Sequence, residues 1–285
     1  MKKFAVLGHP IAHSLSPKMH AANFAAIGFE ATYEKFDVAP EELADFIRQK
    51  QREGYAGLNI TVPHKLAVIP LLDHPDESVR RYGACNTIKF EADGTLSGYN
   101  TDVIGFVEGL KAHGFSLKGK KVVIIGCGGA GSALAAATCY EGAAELKVAD
   151  LRAESVSKLV ERLAALNLGT AVSGLEVLDG TASDAQKAIW GEAAKEADLV
   201  VNATPMGLHP GEPSALPPES FHPGQFVLDI VPTKDFPPTA TAAVKAGATA
   251  TDGLEFLVGQ GAKSFEIWTG VKADRKAMLA AIRDK

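Results

Sequence analysis

Residues 121–131 read K-V-V-I-I-G-C-G-G-A-G, an apolar, β-branched run that stops at a glycine-rich turn. A run of this kind marks a parallel strand covered on both faces. Gly126, Gly128 and Gly131 give the spacing G-x-G-x-x-G directly after that strand and ahead of a helical stretch to about Gly142. In this context the first glycine permits a tight turn, the second lets backbone approach a pyrophosphate, and the third lets helix and strand pack closely. The helix N-terminus adds N–H donors and a favourable dipole for phosphates. A second strand ends at Asp150, where an acidic side chain can accept a hydrogen bond from an adenosine ribose. The stretch is read as half of a doubly wound dinucleotide-binding domain.

Outward from this turn, strands and helices alternate. Downstream, a helix runs to about Leu166 and strands are expected at 198–202 (D-L-V-V-N) and 226–230 (F-V-L-D-I). The segment Asn202 to Gly207, N-A-T-P-M-G, follows a strand and places small and polar groups where strand ends meet a dinucleotide. Helices are expected near 237–246, 252–268 and 273–283. Upstream, strands at 3–8, 31–38 and 57–62 are separated by helices over 17–28 and 40–54, and two strands, 86–91 and 95–99, flank an Asp93-Gly94 hairpin turn. The expected architecture is α/β in two domains. A mixed-sheet substrate domain covers 1–101 and is joined by the C-terminal helices of 238–285, and a Rossmann-type, doubly wound dinucleotide-binding domain covers 102–237.

Composition excludes several classes. A chain of 285 residues with 46% hydrophobic and 22% charged residues is an ordinary folded protein. Its net charge of -5 is scattered rather than gathered into a basic stripe, so no nucleic-acid partner is expected. The apolar run behind Lys2 and Lys3 is cut by Gly8, His9 and Pro10, and no segment reaches the ~20 apolar residues of a membrane span. Cys85, Cys127 and Cys139 have neither C-x-x-C spacing nor an even count, so no metal site or disulfide framework is expected, and a cytoplasmic setting is.

The first domain carries more polar groups than a structural domain needs. H-S-L-S-P (13–17) sets Ser14 and Ser16 ahead of a helix start, where hydroxyls and free amides suit a carboxylate. N-I-T-V-P-H-K (59–65) puts Asn59 and Thr61 on one strand face and Lys65 in the following turn. Asn86-Thr87 and Asn100-Thr101-Asp102 add amides and a carboxylate. Singly, Ser16 and Asp102 read as helix caps and Lys65 as a solvated surface residue. Together they suit a hydroxylated carboxylic acid and one proton-transfer group near its reacting carbon.

At H-S-L-S-P, N-I-T-V-P-H-K, A-C-N-T, Y-N-T-D, G-C-G-G-A-G, N-A-T-P-M-G and L-V-G-Q-G-A-K-S-F-E-I-W-T-G, the chain resembles the shikimate dehydrogenase family in order and spacing, from the first strand to about Gly270. The resemblance implies a reversible NAD(P)-dependent oxidoreductase of the shikimate pathway, acting on a ring CH–OH. By that resemblance, Ser14 and Ser16 hold the substrate carboxylate, while Asn59, Thr61, Asn86, Asp102 and Gln260 face the ring. Lys65 is the acid-base group and Asp102 its partner. The dinucleotide falls to Gly126, Gly128, Gly129, Ala130, Gly131, Asp150, Leu151, Arg152, Thr204, Pro205, Met206 and Gly253.

The chain departs from the family pattern at two places. Asp229-Ile230-Val231-Pro232 stands where the family carries a tyrosine after D-x-V, and Ala149-Asp150-Leu151-Arg152 stands where its NADP users carry N-R-T. A 2′-phosphate would meet the Asp150 carboxylate, so NAD is expected to be preferred, with NADP possible. Shikimate is expected over quinate, in a monomer or homodimer. A quinate or quinate/shikimate dehydrogenase is the nearest alternative, and a non-catalytic dinucleotide-binding sensor is the alternative from another class.

Overall fold

A computed structural model describes residues 1–209, 211–231, 233 and 235–283. They form two compact units, Met1–Glu108 with Leu257–Lys285, and Gly109–Phe256.

The first unit contains β1 (Lys2–Gly8), α1 (Ser16–Ile27), β2 (Ala31–Asp37), α2 (Leu43–Arg52), β3 (Gly57–Ile60), α3 (His64–Ala67), β4 (His74–Pro75), α4 (Glu77–Tyr82), β5 (Thr87–Phe90), β6 (Leu96–Tyr99) and the start of α5 (Asp102–Ala112). Its sheet runs β2-β1-β3-β5-β6-β4. β1 is parallel to β2 and β3, whereas β5 is antiparallel to β3 and β6, so the sheet is mixed as expected. Ala5, Leu7, Leu58, Ile60 and Ile88 turn one face of these strands into a dry core with Ile47 of α2 and Val79 of α4. Because β3 and β6 end where β5 begins, the segments after β3, before β5 and after β6 share one end of the sheet.

The second unit contains β7 (Lys121–Ile125), α6 (Gly129–Tyr140), β8 (Glu145–Ala149), α7 (Ala153–Ala164), β9 (Ala171–Gly174), α8 (Asp184–Lys195), β10 (Leu199–Asn202), β11 (Phe226–Asp229), α9 (Pro238–Lys245) and β12 (Thr249–Thr251). Every strand pair is parallel and the order is β12-β11-β10-β7-β8-β9, the doubly wound arrangement. The order reverses between β7 and β10, and in such sheets the ends of the two switch-point strands frame the ligand crevice. α10 (Gly253–Thr269) begins in this unit and ends in the first, where α11 (Arg275–Arg283) packs on α1.

The unit boundaries differ from those expected. The first passage falls inside α5, after Glu108, rather than at residue 101, and the return falls at Leu257 rather than 238. A continuous helix hides the first change from any reading of loop composition. The second shifts because β12 extends the parallel sheet by pairing with β11, which keeps α9 with the second unit. The expected helix over 40–54 opens instead as a single 3₁₀ turn at Pro40–Glu42, and β3 ends at Ile60, leaving Thr61 beyond the strand. No helix among the described residues is long and apolar enough to cross a membrane.

Candidate active site

In the first unit, α3 is a single turn directly after β3, and it carries Lys65 inward. The Lys65 ammonium donates to Asp102 Oδ2 at 2.7 Å, with side-chain exposures of 10% and 4%. Asp102 is the first residue of α5, so its carboxylate serves the lysine rather than only a helix end. Its other oxygen, Oδ1, accepts from Asn86 Nδ2 at 2.9 Å. Asn86 is fixed in turn, because its Oδ1 accepts from the Thr101 N–H at 2.7 Å and its Nδ2 also faces Gln260 Oε1 at 3.3 Å. A buried ion pair is stable only when its remaining lone pairs and protons are matched, and these amides supply the match.

Of the residues expected from sequence, the structure therefore joins Lys65, Asp102, Asn86 and Gln260 into one network. Asn59 joins it from beneath. Its Nδ2 donates to Ser264 Oγ at 2.9 Å and to Thr87 Oγ1 at 3.1 Å, and its Oδ1 accepts from the Tyr33 hydroxyl at 2.7 Å. With its amide engaged on both sides, Asn59 braces the network rather than facing a ring. Thr61, half-buried, leaves β3 with its N–H bonded to Leu7. Ser14 lies on the loop after β1, where its Oγ accepts the Ser16 N–H at 3.3 Å. Ser16 is the first residue of α1, follows the N-cap Leu15, and is buried with its side chain bonded to that of Tyr33.

In the second unit the glycine loop has the sterics its spacing implies. A Cβ at Gly131 would overlap the Gly126 carbonyl, and Gly126 itself has φ +106°, a conformation side chains disfavour. Around Gly128 a Cβ would meet nothing within 4 Å, so the backbone there is open to an approaching group. Gly129 and Ala130 start α6 and present its N-terminal amides. Across the switch point, Asn202 pins the N-A-T-P-M-G turn: its Oδ1 accepts from Thr204 Oγ1 at 2.7 Å and its Nδ2 donates to Met206 O at 3.1 Å. Pro205 is exposed at the tip. Gly253 starts α10 against the Ile230 carbonyl, where a side chain would not fit. Pro232, part of the departure from the family pattern, lies outside the described residues, as does Lys234.

Asp150 directly follows β8, which ends at Ala149 rather than at Asp150, and its carboxylate is engaged within the chain. Oδ2 accepts the Cys127 N–H of the glycine loop at 2.7 Å, and Oδ1 accepts the Arg152 N–H at 3.0 Å and Arg152 Nε at 3.3 Å. Leu151 packs against the sheet core. Asp150 thus ties the phosphate loop to the residue beside it. Asp150→Ala is expected to weaken binding of the dinucleotide about tenfold or more, since hydrogen bonds to a charged acceptor contribute roughly 1.5–3 kcal/mol. Fluorescence titration of the reduced cofactor checks this, and unchanged affinity would show that the loop holds its shape without the carboxylate.

A second carboxylate in this unit is Asp229, fully buried at the end of β11. Its Oδ1 accepts from Asn202 Nδ2 and the Val231 N–H, both at 3.1 Å, yet burial pushes its carboxyl up to about 6. A folded value above the unfolded one of about 3.9 means that stability is lost as pH rises from about 4 to 6, by roughly 3 kcal/mol. Asp229→Asn is therefore expected to gain stability relative to the wild type by about that amount between pH 4 and pH 7. Urea unfolding at the two pH values measures it, and an equal difference at both would contradict the assignment.

Comparison with known proteins bears on what the two units do. The family model of the shikimate dehydrogenase substrate binding domain matches residues 6–88, and that of the shikimate 5′-dehydrogenase C-terminal domain matches 253–283. Shikimate dehydrogenase (NADP(+)) of Moorella thermoacetica is 40% identical over 281 residues, covering 98% of this chain and 92% of its own length. This chain belongs to the shikimate dehydrogenase family. The shikimate dehydrogenase (NADP(+)) of Rubrobacter xylanophilus is 39% identical, covering 97% of this chain and 94% of its own. Among solved structures, the shikimate 5-dehydrogenase of Thermus thermophilus in complex with NADP(H) and shikimate has a TM-score of 0.84 at 36% identity, with 99% of each chain covered. A shikimate dehydrogenase in complex with NADP+ has a TM-score of 0.87 at 33% identity, covering 99% of this chain and 94% of its own.

These findings overturn the expected preference for NAD: the shikimate dehydrogenases above are named for, or hold, the phosphorylated cofactor. The geometry of Asp150 supplies a physical reason. The expectation required a free carboxylate facing the ribose, whereas both of its oxygens are bonded within the chain and the Arg152 guanidinium lies against one of them.

Proposed function

We propose that the protein interconverts shikimate and 3-dehydroshikimate with NADP as hydride partner, Lys65 serving as the acid-base group. The observation that carries the residue roles is the buried Lys65–Asp102 pair at 2.7 Å, set among amides that suit ring hydroxyls. An alcohol carbon gives up hydride only as its hydroxyl proton leaves, so a basic group must stand within hydrogen-bond reach of that oxygen. The neutral amine of Lys65 takes the proton on oxidation and becomes the ammonium, which returns it on reduction. Asp102 orients the ammonium and keeps its charge matched, and Asn86 with Gln260 orients the neighbouring hydroxyls. Ser14 and Ser16 hold the carboxylate through their hydroxyls.

The dinucleotide is held by the glycine loop, the N-terminus of α6 and the Thr204–Met206 turn, with Arg152 as the cation nearest the end of β8. When bound, its nicotinamide supplies the hydride acceptor or donor. The test is a panel of shikimate, quinate and simpler ring hydroxy acids against NADP and NAD, followed at the absorbance of the reduced nicotinamide. The expected result is the highest kcat/KM for shikimate with NADP. A higher value for quinate would reassign the substrate.

A further inference from the structure

Ser264 has no part in the roles above, yet its hydroxyl meets four polar partners. It sits on α10, is completely buried, and donates to the Gln260 carbonyl one turn back at 3.0 Å. A hydroxyl has one proton and two lone pairs, so with that proton engaged its oxygen can only accept. Around it stand Asn59 Nδ2 at 2.9 Å, Thr87 Oγ1 at 2.8 Å and Thr101 Oγ1 at 3.0 Å, brought together from β3, β5 and the residue before α5.

The polarity of the surrounding bonds follows. The Asn59 oxygen accepts from Tyr33, so its amide nitrogen must donate, and Ser264 is its nearest acceptor. Thr101 Oγ1 accepts from Asn86 Nδ2 at 3.0 Å, which leaves its own proton for Ser264. The Asn86 amide is then held in one sense, with its oxygen on the Thr101 N–H and its nitrogen toward Asp102 Oδ1. The reversed amide would set two donors together and turn an oxygen onto the carboxylate.

We infer that Ser264 is a positioning residue of the reaction: by accepting from Asn59 and Thr101 it fixes the Asn86 amide, and through it the direction of Asp102 toward Lys65. The inference rests on the shikimate dehydrogenase reading. Without the Ser264 oxygen, the Thr101 proton turns to the Asn86 oxygen 3.2 Å away, Asn59 loses its nearest acceptor, and the segment from Thr101 to Asp102 is no longer anchored to α10.

The experiment compares Ser264→Ala, Ser264→Cys and, on the same helix, Trp268→Phe, which removes an indole bond to the Ile88 carbonyl outside the polar network. Ser264→Ala is expected to lower kcat about tenfold, the worth of one well-placed hydrogen bond, with little change in the KM for NADP. It should also move the midpoint of the pH–kcat profile by about half a pH unit or more, since an acid-base pair with altered geometry titrates differently. Ser264→Cys, which keeps a weak acceptor, falls between. Trp268→Phe lowers the thermal midpoint but leaves kcat and the pH profile unchanged. Wild-type turnover together with a Ser264→Ala profile that matches wild type, or that changes only in thermal midpoint as Trp268→Phe does, overturns the inference alone. If Ser264→Ala does not fold, an unaltered kcat and pH profile in Ser264→Cys overturns it equally. A wild type that turns over no ring hydroxy acid overturns the reading of function as well.

Discussion

Lys65→Met is expected to lower kcat by about 10²–10⁴-fold, the range that general acid-base catalysis contributes. Methionine keeps most of the Lys65 stem within α3 and removes the ammonium, which leaves the buried Asp102 carboxylate unmatched and costs stability, so turnover is compared on folded protein. The Asp102 carboxylate keeps its bond from Asn86 in the variant. Dinucleotide affinity should stay within about twofold of wild type, because the glycine loop and the Thr204 turn belong to the other unit. Steady-state kinetics beside a fluorescence titration of NADPH separates the two quantities. A folded variant with undiminished kcat would remove Lys65 from the mechanism.

Asp102→Ala is expected to be the most destabilising change at the site. It strands a lysine whose side chain is only 10% exposed, and breaking a buried pair from one side typically costs about 3–5 kcal/mol. Turnover should fall with it, since the ammonium loses the group that aims it. Removing both charges is a different matter. A Lys65→Met, Asp102→Ala double variant leaves no buried charge unmatched and should recover most of the stability while remaining inactive. Urea unfolding of the two single variants and the double variant measures this. Additive losses would mean that the two side chains do not interact in solution.

The legible parts of the molecule are those where sterics or dryness admit few residue types. Gly126 and Gly131 announce the dinucleotide loop because a backbone turn and a helix contact exclude every side chain there. β7, β10 and β11 announce themselves because strands covered on both faces are continuously apolar. By contrast β9 is an exposed edge strand of A-V-S-G and β12 has three residues, so neither has a pattern to read. α8 is capped by Ser183, whose hydroxyl accepts the Gln186 N–H, a signal present in the sequence yet easily lost in a polar stretch. At the site, Lys65, Asn86 and Asp102 are recoverable as a set of polar groups without structural need. Ser264 is not, because a serine within a helix looks the same whether it faces water or three other elements. Asp150 shows the opposite limit: its position is legible, but the bonds its carboxylate makes are not.

The first unit is assembled from both ends of the chain, and this orders its completion in time. Gln260, Ser264 and α11 leave the ribosome after residues 109–256, which form a contiguous stretch with its own sheet. Domains fold as units during synthesis. The nucleotide-binding half can therefore close while the mixed sheet still waits for its final helices, with Asn23 of α1 lacking the Asp274 amide that it later bonds. A stop codon after residue 256 would spare the glycine loop and the Thr204–Met206 turn and yet remove Gln260 and Ser264 from the network around Lys65 and Asp102.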